Sequence, residues 1–199
     1  MSSIVGRKAP DFELEAVSDG QIKTISLADY DGRWLIVFFY PLDFTFVCPT
    51  EILAFSDRID EFRTLGADIL GVSTDSPYTH LAWTERTRER GGIEGLRYPL
   101  LSDYKKTMAT EYGVLGDEGV ALRGLFVIDP DRIVQQCTIN NLGIGRCVDE
   151  TWRVLQAAMF VQENGVVCPA NWRPGEEGMK PDWNASKQWF EKRARPAND

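Results

Sequence analysis

The 199 residues suit one domain, or one domain with an arm, and 43% hydrophobic content, including 11% aromatics, excludes a disordered, collagen-like or low-complexity chain. The chain has 22 Lys and Arg against 30 Asp and Glu, a net charge of −8, and no basic block, so we expect no binding to nucleic acid or to an anionic membrane surface. Four cysteines and one histidine nearly exclude His-rich zinc sites and catalysis by several imidazoles, which leaves the thiols as the chemistry to explain, and we expect no metal site.

Strands and helices alternate along most of the chain. Two alternating segments flank Asp19-Gly20, a hairpin turn signal, and the continuous apolar run 34–40 is typical of a buried central strand. Apolar residues then recur at helical spacing from Ile52 to Phe62. The predicted strands are 12–17, 21–26, 34–40, 67–74, 122–128 and 132–139, and the predicted helices run from Pro49 to Gly66, over 78–89 and over 148–162. This order predicts an α/β fold with a central mixed sheet flanked by helices.

The composition changes after residue 165. Prolines and glycines break up residues 166–182, and a short helix is predicted over 184–193. We therefore divide the chain into a domain, 1–165, and an extended C-terminal arm, 166–199. The arm is rich in aromatic residues, so we expect it to pack on its own body or on another subunit. Those residues are Trp172, Trp183, Trp189 and Phe190.

The N-terminal segment from Met1 to Lys8 lacks the apolar region and the cleavage site of a signal peptide. The longest apolar run, 34–40, is too short to cross a bilayer, so we expect no membrane segment and a cytoplasmic location. In a reducing cytosol, cysteines are more often catalytic, redox-active or buried than joined in static disulfides.

Cys48 lies where the turn-rich segment 41–47 meets a predicted helix, and Pro49 supports this boundary because proline is favoured at the first helical position. Free amide groups and the positive end of the helix dipole would then face the sulfur and favour the nucleophilic thiolate. Thr45 can turn its hydroxyl toward the sulfur or toward a substrate oxygen. The alternative is a small buried core cysteine, but the helix start, the proline turn and the nearby hydroxyl favour activation.

Pro41, Thr45 and Cys48 fill the pattern P-x-x-x-T-x-x-C, which resembles the peroxidatic motif of the peroxiredoxins. The likeness covers roughly residues 4–193, and the joint presence of its segments in this order is highly specific. The similar segments are Val167 to Trp172 (the resolving-cysteine segment of the typical two-cysteine subgroup), Leu122 to Asp129 (the strand with the active-site arginine), Asp75-Ser76, Thr79 to Trp83, and Gly145-Arg146 with Val148 to Glu150. The resemblance implies a thioredoxin-like fold and a cofactor-free, thiol-dependent peroxidase that acts on hydrogen peroxide and organic hydroperoxides.

The resemblance implies that Cys48 is the peroxidatic nucleophile, which attacks the terminal oxygen of a hydroperoxide and becomes a sulfenic acid. Arg123 would stabilise the thiolate and the peroxide oxygens with its fixed set of donors. Thr45 would hydrogen-bond the peroxide, and Pro41 would shape the pocket and exclude water.

Two further residues receive supporting roles from the same resemblance. Glu51 would orient the arginine, and Arg146 belongs to a segment similar to the family. Out of context, Arg123 is an ordinary surface ion-pair residue, and Glu51 is a first-turn acid that the helix dipole favours.

Cys168 is the resolving thiol that the resemblance implies: it attacks the sulfenic acid and leaves a disulfide. In the typical two-cysteine subgroup this bond joins Cys48 of one chain to Cys168 of the other, so the arm would dock on the partner subunit. Because a disulfide needs Cα atoms about 4.4–6.8 Å apart, we expect both segments to unfold locally before they meet. The resemblance also implies homodimers that assemble into a decamer of five dimers. Thioredoxin would recycle the enzyme, with a dedicated flavoprotein reductase or glutaredoxin as alternatives.

The remaining thiols and the single histidine receive no catalytic role. Cys137 falls in a predicted strand and Cys147 precedes a predicted helix, and we favour a structural role for both. His80 lies on a predicted helix near Trp83, where we expect a packing or surface residue. Gly143 to Gly145 is only a fragment of a dinucleotide-binding motif, so no nicotinamide or flavin site is predicted.

Two other functions remain open at this stage. The oligomer can hold unfolded clients or relay oxidation to partners, and a thioredoxin-like scaffold with inert cysteines is a third interpretation. Cys48→Ser should abolish peroxidase activity if the chain is a peroxidase, and should spare client holding if the chain is a binding protein. Gly91 to Gly95 and Trp189-Phe190 resemble the pattern of peroxiredoxins that excess peroxide inactivates, so we expect intermediate to high sensitivity to overoxidation.

Overall fold

The computed structural model describes residues 3–194, and residues 195–199 of the predicted arm lie outside them. Contacts divide the chain into two compact units, 1–148 and 149–199. In chain order the elements are β1 Glu13–Ser18, β2 Gln21–Ser26, β3 Trp34–Phe39, α1 Cys48–Asp57, α2 Ile59–Thr64, β4 Ala67–Ser73, α3 Pro77–Thr84, β5 Leu100–Ser102, α4 Thr107–Glu111, β6 Arg123–Ile128, β7 Val134–Asn140, α5 Val148–Asn164 and α6 Ala185–Ala194. Within residues 3–194, no helix is both long and apolar enough to span a bilayer.

The first unit is built on one seven-stranded sheet with the order β2-β1-β5-β4-β3-β6-β7. The β5–β4 and β4–β3 pairs are parallel and the other neighbours are antiparallel, so the sheet is mixed, as predicted. The hairpin between β1 and β2 turns at Asp19 and Gly20, whose φ angles of 53° and 72° suit a tight two-residue turn.

The segment that forms β3 is apolar throughout because both faces of the strand are covered and all six of its residues are buried. On one face, Phe39 lies 5.3 Å from the ring of Tyr112, in a cluster that includes α4. On the other face, Phe38 stacks on Phe55 of α1 at 5.0 Å. The strand therefore ends in a buried, aromatic environment at the point where the loop to α1 begins.

Two predicted helices differ from the sequence prediction, and two short elements were not predicted. The helix predicted from Pro49 to Gly66 breaks at Arg58, where the backbone amide bonds to the carbonyl three residues back, and continues as α2. The helix predicted over 78–89 ends at Thr84, because the following chain folds back and the Trp83 indole donates to the Gly91 carbonyl at 2.9 Å. The short elements β5 and α4 were not predicted, since neither is long enough to show a period.

The second unit contains α5, an irregular segment and α6. Trp172 stacks on Phe160 of α5 at 4.9 Å and is 2% exposed, so part of the aromatic arm packs within its own unit. Val167 and Met179 exchange two backbone hydrogen bonds of 2.8 Å. Gly178 fits beside this bridge because any Cβ there would lie 2.8 Å from Phe160.

Candidate active site

Cys48 is the first residue of α1, and its side chain is 0% exposed. Pro49 is the second helical residue, so the helix begins one residue earlier than predicted. The amides of Thr50 and Glu51 donate to the Val47 carbonyl, at 3.1 and 3.3 Å. The hydrogen bonds that reach the sulfur come instead from two side chains, those of a threonine and an arginine.

Thr45 lies in the loop before α1, and its hydroxyl oxygen is 2.9 Å from the Cys48 sulfur and 2.9 Å from the Leu42 carbonyl oxygen. A hydroxyl has one proton, so it serves these two acceptors alternately and has lone pairs left for another donor. Pro41 is buried at the start of the same loop, directly after Tyr40. Its role in shaping the pocket stays a prediction.

Arg123 is the first residue of β6, which runs antiparallel to β3 and so begins beside the carboxyl end of β3. Its Nη1 atom lies 3.4 Å from the Cys48 sulfur, and its Nε donates to the Leu142 carbonyl at 2.7 Å. The residue is 3% exposed, which excludes the alternative of a surface ion pair. One edge of the guanidinium is thus fixed by the backbone while Nη1 faces the thiol.

Glu51 joins this arginine to a second one. Its Oε2 accepts from Arg123 Nη1 at 2.5 Å, and its Oε1 accepts from the backbone and the Nε of Arg146 at 2.8 and 2.7 Å. Arg146 also donates to the carbonyls of Phe39 and Gly124, both at 2.7 Å. A buried charge needs such partners, so the carboxylate serves as a bridge that orients both guanidinium groups.

Cys168 belongs to the second unit and lies in the irregular segment after α5. It is half-buried, and its sulfur is 3.7 Å from the Ala157 carbonyl oxygen. Burial raises the pKa of the Cys168 thiol, and the charge of Arg153 offsets part of this rise. None of the four cysteines forms a disulfide in this structure.

The other two cysteines lie where the sequence suggested. Cys137 is in β7, half-buried against the main core cluster, which fits a structural role. Cys147 is exposed and immediately precedes α5.

A buried polar group behind the loop was not predicted from the sequence. His80 lies on α3 as predicted, but it is 0% exposed and bonds to Asp43 of the loop at 2.7 Å. The sequence contained a signal, because an acid in the motif loop and the single histidine of the chain were both present. Their separation of 37 positions hid the contact.

Family comparisons cover both units. Residues 5–137 match the AhpC/TSA family, and residues 157–192 match the C-terminal domain of 1-Cys peroxiredoxin. These two matches cover the segments that contain Cys48 and Cys168.

Individual relatives agree with the family matches. The chain is 57% identical over 190 residues to a chloroplastic 2-Cys peroxiredoxin of Arabidopsis thaliana, which covers 94% of this chain and 71% of the relative. The chain is also 52% identical over 189 residues to Peroxiredoxin-2 of Mus musculus, an alignment that covers 94% of this chain and 96% of the relative. The crystal structure of reduced Plasmodium vivax 2-Cys peroxiredoxin superposes with a TM-score of 0.94 at 42% identity, covering 96% of this chain and all of that chain. The likeness to this structure confirms the predicted thioredoxin-like fold.

Proposed function

Because the chain belongs to the AhpC/TSA family of peroxiredoxins, and is therefore a thiol-dependent peroxidase, we propose that Cys48 is the residue that attacks the hydroperoxide. One observation carries this assignment: the hydroxyl of Thr45 and the guanidinium of Arg123 both converge on the buried sulfur at the start of a helix. Donors placed in a dry site are strong because they need no rearrangement when charge moves during the reaction.

The reaction is a two-electron transfer of oxygen to sulfur. The Cys48 thiolate attacks the terminal oxygen of a hydroperoxide, the O–O bond breaks, and the departing alkoxide takes up a proton to leave as alcohol or water. The cysteine becomes a sulfenic acid. Arg123 stabilises the negative charge as it moves from sulfur to the departing oxygen, while Thr45 orients the peroxide.

The second step regenerates the enzyme through Cys168. Its thiol attacks the sulfenic sulfur, a disulfide forms and water leaves, and a dithiol reductant then reduces the disulfide. Cys48 is 0% exposed at the intact helix start, which supports a local opening of the first turn of α1 before the second sulfur arrives. In this scheme the arm of one subunit serves Cys48 of a second copy of the chain.

The assembly and the reductant are proposed on the family resemblance. A homodimer supplies both cysteines of each pair, and five dimers close into a decamer. Thioredoxin is the favoured reductant, with a flavoprotein reductase as the alternative. A cytoplasmic location is supported by the need for a reducing partner.

The assignment of Cys48 is tested by peroxide consumption with thioredoxin, thioredoxin reductase and NADPH. Cys48→Ser removes the nucleophile and is expected to abolish turnover, whereas Cys147→Ser changes an exposed thiol and serves as the matched control. Peroxidase activity that survives in Cys48→Ser would reject the proposal.

The intersubunit disulfide is tested by non-reducing electrophoresis after one equivalent of hydrogen peroxide. We expect a covalent dimer in the wild-type chain that disappears in both Cys48→Ser and Cys168→Ser. A disulfide-bonded monomer would show that the two cysteines pair within one chain. Sedimentation velocity of the reduced protein separates dimers from decamers.

A further inference from the structure

Tyr40, Asp43 and His80 form a buried hydrogen-bonded group at the base of the loop that leads to Cys48. The Asp43 carboxyl accepts from the Tyr40 hydroxyl at 2.8 Å through Oδ1 and lies 2.7 Å from His80 Nδ1 through Oδ2. Tyr40 and His80 are 0% exposed and Asp43 is 6% exposed. We call these three residues the loop clamp.

The hydrogen bonds fix how many protons the loop clamp holds. His80 Nε2 lies 3.1 Å from the Leu101 carbonyl oxygen, which can only accept, so Nε2 is protonated. The short contact between Nδ1 and Asp43 Oδ2 then requires one more proton between these two atoms. Asp43 and His80 therefore share a proton between Oδ2 and Nδ1. A carboxylate facing the unprotonated Nδ1 would be repelled by its lone pair.

The backbone of Asp43 is held as well. Its amide donates to Asp75 Oδ2 at 2.9 Å, and the same oxygen accepts from the Ser73 hydroxyl at 2.7 Å. The groups that face the Asp43 carboxyl are thus His80 on α3, Tyr40 after β3 and the Asp75 carboxylate after β4. Burial, with a contribution from Asp75, raises the pKa of Asp43, which agrees with a carboxyl that shares a proton.

The next residue shows why such anchoring is needed. Phe44 has a φ of 55°, a left-handed conformation that is costly for a bulky side chain and persists only when its surroundings impose it. Its ring lies 5.7 Å from that of Trp83, three residues after His80 on α3. Thr45 follows directly, so the strained residue sits between the loop clamp and the hydroxyl at the sulfur.

We propose that Tyr40, Asp43 and His80 are positioning residues of peroxide reduction, which hold the loop so that the Thr45 hydroxyl stays at the Cys48 sulfur. The hydrogen-bond partners of the Cys48 sulfur are Thr45 and Arg123, so the loop clamp acts through Thr45. This inference rests on the proposed function of Cys48, and it adds the residues that hold the Thr45 loop in place.

The test uses the full-length reduced chain and measures two rate constants of Cys48: oxidation by hydrogen peroxide and alkylation by iodoacetamide. Peroxide reduction needs the aligned Thr45 hydroxyl, whereas alkylation reports access to the thiolate alone. We expect His80→Gln, which keeps a donor for Leu101 but loses the partner of Asp43, to slow oxidation by about tenfold to a hundredfold. The rate constant for alkylation of Cys48 should change much less in the same variant.

Two further variants separate positioning from general stability. His80→Asn places an amide near the Nδ1 position and should recover most of the oxidation rate. Tyr40→Phe removes the hydroxyl that donates to Asp43, and Tyr112→Phe removes a comparable buried hydroxyl that donates to the Pro10 carbonyl at 3.0 Å. Only Tyr40→Phe should slow the oxidation of Cys48, even if the two variants lower the urea concentration at the midpoint of unfolding equally.

A double-mutant cycle with Thr45→Val decides whether the loop clamp acts through that hydroxyl. In the Thr45→Val background, His80→Gln should cause little further loss of the oxidation rate. A full and independent loss in that background, or an equal slowing by Tyr112→Phe, overturns the inference. If wild-type protein fails to react with peroxide, the proposed function itself has failed, which is a distinct result.

Discussion

The two thiols of the proposed cycle lie in opposite kinds of environment. The Cys48 sulfur is fully buried and receives hydrogen bonds from a hydroxyl and a guanidinium, whereas the half-buried Cys168 sulfur faces a backbone carbonyl oxygen. Burial raises the pKa of the Cys168 thiol and so favours its protonated form, whereas the Cys48 sulfur faces two hydrogen-bond donors. The difference fits the proposed cycle, in which Cys48 reacts first with peroxide and Cys168 then attacks the sulfenic acid.

The largest expected effect separates the two roles in time. Cys168→Ser should leave the first oxidation of Cys48 at its wild-type rate, because the groups around that sulfur are intact. Sustained turnover with thioredoxin should be lost, since no disulfide forms. Stopped-flow oxidation and steady-state peroxide consumption measure the two steps, and a slowed first oxidation would contradict the separation.

The next effect concerns the donor at the reactive sulfur. Arg123→Lys keeps the positive charge, but an ammonium cannot donate to Leu142 and reach Cys48 with the same fixed geometry. We expect the rate constant with hydrogen peroxide to fall by about a hundredfold. Urea unfolding at the same pH checks that the fold is retained, and a rate within about twofold of wild type would show that charge alone suffices.

A smaller effect is expected at the resolving thiol. Arg153 holds down the raised pKa of Cys168, so Arg153→Ala should raise that pKa further and leave less thiolate at neutral pH. Disulfide formation after peroxide should slow by about twofold to fivefold, because a partly exposed charge is worth under about 1 kcal/mol. Arg153→Lys retains the charge and should form the disulfide faster than Arg153→Ala. Rapid quench followed by non-reducing electrophoresis gives the rates.

The smallest effect concerns stability behind the reactive site. The pKa of Asp43 is raised in the folded protein, so its contribution to stability is complete below the ordinary value near pH 4. That contribution is lost as the pH rises through the raised pKa. Asp43→Asn mimics the protonated acid and does not titrate there. The stability of wild type relative to this variant should therefore fall with rising pH, by at most about 1.4 kcal/mol per pH unit.

Urea unfolding of both proteins from about pH 4 upward provides this measurement. Parallel stability curves would show that Asp43 has no raised pKa in the folded chain.

The fold was largely predictable where local pattern and tertiary packing agree. The apolar run of β3 reflects burial on both faces, and Asp19-Gly20 favours a tight turn by its own conformation. Both are found as predicted. β5 was invisible because three residues cannot reveal a period, and its pairing with β1 and β4 is decided by the sheet. The break at Arg58 interrupts an apolar pattern that continues on both sides, so periodicity alone suggested a single helix.

The site divides in the same way. Thr45 and Cys48 lie within one turn of each other along the chain, so their contact was within reach of the sequence. The double bridge of Glu51 joins residues 72 and 95 positions away, and only the resemblance suggested that any of these groups cooperate. The pairing of Asp43 with His80 was missed because it depends on how α3 packs beside the loop.

The Glu51 bridge also determines the net charge of the buried cluster around the Cys48 sulfur. Arg123 and Arg146 bring positive charge, and Glu51 neutralises one of them, so the buried cluster is electroneutral only while Cys48 is a thiolate. Oxidation to the uncharged sulfenic acid removes that negative charge and leaves an uncompensated cation in a dry interior, which is costly. In the proposed cycle, this loss of charge balance would favour opening of the helix start when the second sulfur has to enter.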